Sequence, residues 1–277
     1  SIPAGKIYEP FRDQMTSWIK ETRALPHEEV SITSFDGLKL YGKYYEFAPE
    51  APIELMFHGY RGSAERDLSG GVQRCFSLGR NVLLVDQRAH GESGGRAVTF
   101  GIRERYDCLD WIEEANRRFC PPAIILSGVS MGAATVLMAA SLSLPSNVRG
   151  IIADCPYDAP SNIIRKVLGQ DMGMPVKVVY PLIRLGGMLY GKFSLDADSP
   201  VEAVRRSRVP ILLIHGDDDR FVPHAMSRNI HAAAPEKIEF HTVAGAGHAL
   251  AYVTDPEGYT KIVNAFVKKC LNNPEDF

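Results

Sequence analysis

Apolar residues fall along this chain in two rhythms. Over residues 7–24 they recur every three or four positions, with Phe11, Met15, Trp18 and Ile19 on one side, which predicts an amphipathic N-terminal helix. Residues 30–33 and 38–41 instead alternate apolar with polar, and Asp36-Gly37 stands between them, a strong signal for a tight hairpin. Continuous apolar runs follow at 53–57, 82–85, 123–126, 151–153 and 211–214, with a further strand-like run at 238–243. Unbroken runs of this length read as strands covered on both faces. Helical patterns at 102–119, 131–143, 226–234 and 256–271 separate them. Strands alternating with helices predict an α/β fold: a mostly parallel sheet with helices on both faces and the hairpin at one edge. The length suits one domain over residues 1–277.

One stretch breaks the alternation. Between Pro156 and Arg206 two strand-like runs stand about twice as far apart as a crossover requires, too far for a structureless loop. Apolar patches with helical spacing at 163–168 and 182–190 predict a helical cap over residues 156–206.

Charge narrows the partners. The 31 basic and 33 acidic residues nearly cancel, which disfavours binding to nucleic acid through phosphate neutralisation. The short basic runs at 205–208 and 268–269 read as solvated surface. The cysteines number five and form no CxxC pair, which argues against a disulfide framework or a zinc site and for a reducing, cytoplasmic setting. No run of about 18 apolar residues exists to form a transmembrane span. The chain opens Ser1-Ile2-Pro3 rather than on Met, so an upstream targeting segment is left open. Oligomeric state is not legible.

The sharpest chemical signal is Gly128-Val129-Ser130-Met131-Gly132, placed between a strand-like run and a helical one. That is the context of a nucleophile elbow, where a sharp turn lifts a serine hydroxyl above the sheet and small flanking residues let backbones approach. A serine at neutral pH needs a base and a group to orient that base. The run Asp217-Asp218-Asp219 follows one later strand, and His248 follows the next. Acids at the carboxyl ends of parallel strands share the elbow's crevice, and the order Ser, Asp, His suits this elbow type.

With these motifs in place the chain resembles an α/β-hydrolase from Val30 to its C-terminus, and within that superfamily the bacterial serine hydrolases with peptidase- and esterase-like members. The resemblance implies Ser130 as nucleophile and His248 as base. The family pattern HGxxDxxVP matches His215 to Pro223 and selects Asp219 as the acid over Asp217 and Asp218; Asp154 is the rival, since in a minority of these enzymes the acid follows the earlier strand. His58-Gly59-Tyr60-Arg61-Gly62 resembles the HGxxG oxyanion loop and implies the Tyr60 and Met131 N–H groups as oxyanion donors, with His58 supporting the loop. The segment from Asp86 to Gly95 resembles DxRGxGxS, with Ala89 where glycine is usual, and reads as architecture. A metal on the cluster from His215 to Asp219 would compete with the triad, so neither metal nor cofactor is expected.

Serine rather than aspartate at the elbow disfavours dehalogenase and epoxide hydrolase chemistry and leaves acyl transfer to water. The cap is rich in Met and aliphatic residues, and Tyr60, Met188 and Tyr190 are the candidates for lining an apolar pocket. The expected substrate is a small-molecule carboxylic ester with a small to medium apolar acyl or aryl group. An aminopeptidase or acylpeptide hydrolase is the alternative enzyme and would need paired acids for a substrate ammonium, for which Asp171, Asp196 and Asp198 are candidates. A catalytically inactive binding protein on the same fold is the alternative of another class.

Overall fold

A computed structural model describes residues 5–272. A 3-10 turn, Lys6–Phe11, leads into α1 (Arg12–Ala24). The helix expected from residue 7 therefore begins at Arg12, since Pro10 lies in the turn and supplies no N–H to an α-helical ladder. The hairpin β1 (Glu28–Thr33) and β2 (Lys39–Tyr45) follows, then β3 (Ile53–Phe57), α2 (Ala64–Ser77), β4 (Asn81–Val85), α3 (Glu104–Phe119), β5 (Ile124–Val129), α4 (Met131–Ala139) and β6 (Val148–Asp154). Three helices, α5 (Pro160–Lys166), α6 (Val176–Gly186) and α7 (Pro200–Arg206), come before β7 (Ile211–Gly216). The chain closes with α8 (His224–Ala233), β8 (Ile238–Val243), α9 (Ala251–Thr254) and α10 (Pro256–Asn272).

The eight strands form one sheet in the order β1-β2-β4-β3-β5-β6-β7-β8. β1 and β2 pair antiparallel at one edge and every pairing from β4 onward is parallel. Each central strand sends alternate residues to opposite faces. Ile53, Leu55, Phe57, Ile124, Leu126, Ile211 and Leu213 pack against α3, α4 and α8, whereas Ile125, Leu212 and Ile214 meet Val263 and Phe266 of α10. Burial on both faces explains why these strands read as runs made almost wholly of apolar residues.

One residue in those runs is charged. Glu54 is fully buried in β3, with Arg74 Nη2 of α2 2.5 Å and Arg80 Nη1, just before β4, 3.3 Å from its carboxylate. Two guanidinium groups hold that carboxylate below its usual range against the opposing effect of burial.

α2 carries Gly70-Gly71 in its interior, where glycine is disfavoured. The structure supplies the reason for the glycine. A Cβ at Gly70 would lie 2.7 Å from the Trp18 ring, so glycine here is what lets α1 pack onto α2.

Between β6 and β7, α5 and α6 each run on into a π-helical turn, Val167–Asp171 and Gly187–Gly191. Leu168, Tyr180 and Leu195 form a small apolar cluster among them. α7 differs: it packs on α4 and α8 beside the sheet, with Pro200, Ala203 and Val204 buried. Ser199 caps it, its Oγ accepting from Glu202 N–H at 3.2 Å, and Pro200 stands at its first turn.

Strand register gathers the loops. Phe57 pairs with Gly128 and Val129 with Asp154, so the segments that open at His58, Ser130 and Cys155 leave the sheet side by side. Gly216 pairs with Val243, which places the loops carrying Asp219 and His248 on the same edge.

Candidate active site

Ser130 bridges β5 and α4 with φ 55° and ψ −115°, a conformation that L-residues rarely adopt. Its N–H donates to Asp154 O at 2.8 Å and its carbonyl accepts from Ala134 N–H at 3.0 Å, so both neighbouring elements hold the turn. The flanking glycines are sterically required. A Cβ at Gly128 would run into the backbone of Gly132, and one at Gly132 into the Phe57 carbonyl. The N-terminus of α4 favours negative charge near the Ser130 hydroxyl.

His248, on the loop after β8, brings Nε2 to 2.9 Å from Ser130 Oγ and Nδ1 to 2.7 Å from Asp219 Oδ2. The carboxylate acceptor fixes the tautomer: Nδ1–H donates to Asp219, and Nε2 is left to accept from the serine. Asp219 is buried on the loop after β7. Its Oδ1 accepts from Phe221 N–H at 2.9 Å and Val222 N–H at 2.8 Å. Burial opposes ionisation, yet the hydrogen bonds donated by His215 and His248 outweigh it and hold the carboxyl well below the usual range.

His215, the first residue of the family motif, stands behind the acid. It is fully buried, with Nε2 3.1 Å from Asp219 Oδ2 and 3.0 Å from Val222 O, and Nδ1 2.6 Å from Ser227 Oγ. Two acceptors at Nε2 require the proton there, so Nδ1 accepts from the Ser227 hydroxyl.

The other acids lie elsewhere. Asp217 accepts from Gly245 N–H at 2.6 Å and ties two loops together, and Asp218 pairs with Arg220 at the surface. Asp154 bonds through Oδ2 to the Tyr259 hydroxyl at 3.1 Å rather than to His248, and burial pushes its carboxyl up to about 6. It lines a cavity of about 90 Å³ together with Trp18, Arg74, Tyr252 and Tyr259.

The loop after β3 abuts the serine, since a Cβ at Gly59 would stand 3.5 Å from Ser130 Cβ. Two imidazoles shape this loop. His58 is buried, its Nδ1–H donating to Gly59 O at 2.7 Å while Nε2 accepts from Gln87 N–H at 3.0 Å. His90 Nε2 accepts from Arg61 N–H at 3.0 Å, which supports Arg61 at φ 55°. Among the described residues the N–H groups of Tyr60 and Met131 have no hydrogen-bond partner. Tyr60 is partly exposed, its ring 5.6 Å from that of Phe100.

Asp86 and Arg88 support the same region. Asp86 accepts from Ala64 and Glu92 N–H, while Arg88 is buried between Asp36 and Asp107. Ala89 takes φ 60°, the conformation for which the family pattern favours glycine.

One neighbour of the site escaped sequence reasoning. The Phe221 ring stands 5.0 Å from the His248 ring, edge to face, and is linked to α5 by Lys166, whose ammonium lies over that ring and donates to Arg220 O at 2.9 Å. Cys155, at φ 47°, is buried with its Sγ within 4.8 Å of ligand atoms of Asp219 and His248. Burial pushes its thiol well up, away from the reactive thiolate. Met188 and Tyr190 lie on the π-helical turn after α6 and are exposed, Tyr190 at 90 %.

The family model of the α/β hydrolase fold matches residues 55–177. The chain is 25% identical over 254 residues to the uncharacterized protein YqkD of Bacillus subtilis, covering 90% of this chain and 83% of that one. It is 26% identical over 234 residues to a monoacylglycerol lipase of Mycolicibacterium smegmatis, covering 71% of this chain and 80% of the lipase. Among solved structures, an esterase of Pyrococcus furiosus aligns with a TM-score of 0.73 at 23% identity, over 91% of this chain and 95% of the esterase. Sheet order, elbow and relatives agree, and the chain has the α/β-hydrolase fold.

Proposed function

We propose that this protein is a serine hydrolase that cleaves carboxylic esters with small to medium apolar acyl or aryl groups. The observation that carries the reading is the continuous hydrogen-bonded path from Ser130 Oγ through His248 to Asp219, beginning at a serine in a strained turn. In the first step Ser130 Oγ attacks the ester carbonyl carbon as His248 Nε2 takes the hydroxyl proton. Negative charge develops on the carbonyl oxygen, where the free N–H groups of Tyr60 and Met131 stabilise it. The C–O bond to the alcohol then breaks, His248 returns the proton to the departing oxygen, and an acyl-serine remains. Water attacks this ester as His248 accepts a proton from it, and collapse releases the carboxylic acid and restores Ser130. Asp219 stays ionised and stabilises the imidazolium formed in each half-reaction.

Phe221 beside His248 and Tyr60 beside Phe100 give the approach an aromatic lining that suits apolar substrates. Two similar proteins, a lipase and an esterase, support ester chemistry. The peptidase alternative needs free carboxylates for a substrate ammonium. Asp171 pairs with Lys166, Asp196 with Arg184, and Asp198 with Arg105 and Arg206, so these three already have cationic partners.

Turnover of p-nitrophenyl acyl esters against aminoacyl p-nitroanilides tests the substrate class. Esters are expected to react faster, and Ser130→Ala to lower ester kcat by at least about a thousandfold. Faster anilide turnover, or unchanged ester turnover in Ser130→Ala, contradicts the proposal.

A further inference from the structure

α6 is apolar on two opposite sides. Val179, Tyr180 and Ile183 face inward to the Leu168 and Leu195 cluster. Val178, Leu182, Leu185 and Leu189, spaced at i, i+4, i+7 and i+11, face outward and are exposed, with Leu182 at 63 %. Eight of the thirteen exposed large apolar side chains among the described residues lie between Met172 and Tyr190, so the exposure is a concentrated patch rather than ordinary scatter.

Charge says what covers this patch. The chain as a whole carries −2, but residues 172–195 contain Lys177, Arg184 and Lys192 and no acidic residue. Lys177 and Arg184 are seven residues apart and share one edge of the outward stripe. Arg184 pairs with Asp196, while Lys177 and Lys192 are exposed and have no ion-pair partner among the described residues. An apolar helix face edged by cations is the arrangement of a helix lying in the plane of a lipid–water interface, its long basic side chains reaching back to anionic headgroups. A two-fold contact with a second copy would bring the same cations together across the interface, which disfavours self-association here.

We infer that the outer face of α6 and the turn after it dock on an anionic lipid surface. The inference goes beyond the ester-cleavage reading and is tested without a substrate.

The experiment is flotation of the full chain with vesicles of phosphatidylcholine alone or with about one third phosphatidylglycerol. The chain is expected to float with the anionic vesicles and to release as salt approaches about 1 M. Replacing Lys177 and Lys192 together by Gln is expected to weaken anionic partitioning about thirtyfold. Leu182→Asp with Leu189→Asp is expected to abolish flotation while thermal unfolding stays as in the parent chain. Absence of flotation, equal flotation on both vesicle types, or flotation that survives the double Asp variant overturns the inference. So does a dimer in solution that the same variant dissolves without any vesicle binding.

Discussion

His215 and His248 reach the same oxygen of Asp219, at 3.1 and 2.7 Å. One imidazole is fully buried and anchored by Ser227, and the other faces Ser130. The carboxylate is thus clamped from behind as well as by the N–H groups of Phe221 and Val222. His215 acts through Asp219 on the orientation of His248, which makes it a positioning residue.

Replacing His215 by Ala is expected to lower kcat by about ten- to a hundredfold through misplacement of the acid and base. It also leaves Ser227 Oγ and an oxygen of Asp219 short of a partner, at a cost of about 1–3 kcal/mol. Steady-state kinetics with denaturant unfolding separate the two effects. His215→Gln, which retains a donor, should recover part of the rate; equal losses in both variants would mean that the imidazole acts only by filling space.

The elbow glycines have no tolerated replacement. Gly132→Ala would press a methyl group into the Phe57 carbonyl, and Gly128→Ala would press one into Gly132. Each is expected to cost about 3 kcal/mol or more and to eliminate ester turnover. Gly37→Ala is a useful contrast. No neighbouring atom lies within 4 Å, so the strain of φ 86° is its main cost. Chemical unfolding of the three variants should show the elbow substitutions as the more damaging.

Two aspartates give opposite dependences on pH. Asp219 has a depressed carboxyl, so its contribution to stability is present above the unfolded value of about 4 and is lost as pH falls toward the folded value. Asp154 is raised to about 6, so the folded protein holds its proton longer than the unfolded chain does, and stability declines as pH rises from about 4 to 6. Asp154→Asn should therefore be more stable than the parent chain at pH 8, by up to about 3 kcal/mol, and the two should converge near pH 4. Urea unfolding at the two pH values reads this directly; a variant less stable at pH 8 contradicts it.

Glu54 anchors two buried guanidinium groups. Glu54→Gln leaves Arg74 and Arg80 without a compensating charge inside the protein and is expected to cost about 3–5 kcal/mol. Thermal unfolding measures the loss, and a change below about 1 kcal/mol would mean that water already solvates these arginines.

Much of this architecture is legible in the sequence because it follows from local rules. Residues 53–57 and 211–214 are strands buried on both faces, and Asp36-Gly37 turns the edge hairpin. Ser130, Asp219 and His248 stand out because each follows a strand in one chain order. What escaped depends on contacts distant in sequence. α2 keeps a glycine at position 70 because Trp18 fills the space a side chain would occupy. Glu54 sits within an apolar run because Arg74 and Arg80, some twenty residues later, neutralise it. Phe221 does follow the acid in the motif, yet its place against His248 depends on how two loops fold together. Met188 and Tyr190 illustrate the limit of composition: apolar side chains in a cap do not by themselves reveal which way they face, and both are exposed.

The central claim is that Ser130 is an activated nucleophile, and covalent labelling tests it most directly. The folded chain is treated with a fluorophosphonate and its intact mass and labelled peptide are determined. One phosphonyl group is expected on Ser130, with labelling lost in Ser130→Ala and slowed in His248→Ala. A folded chain that takes up no label, or that carries it on a residue other than Ser130, contradicts the account.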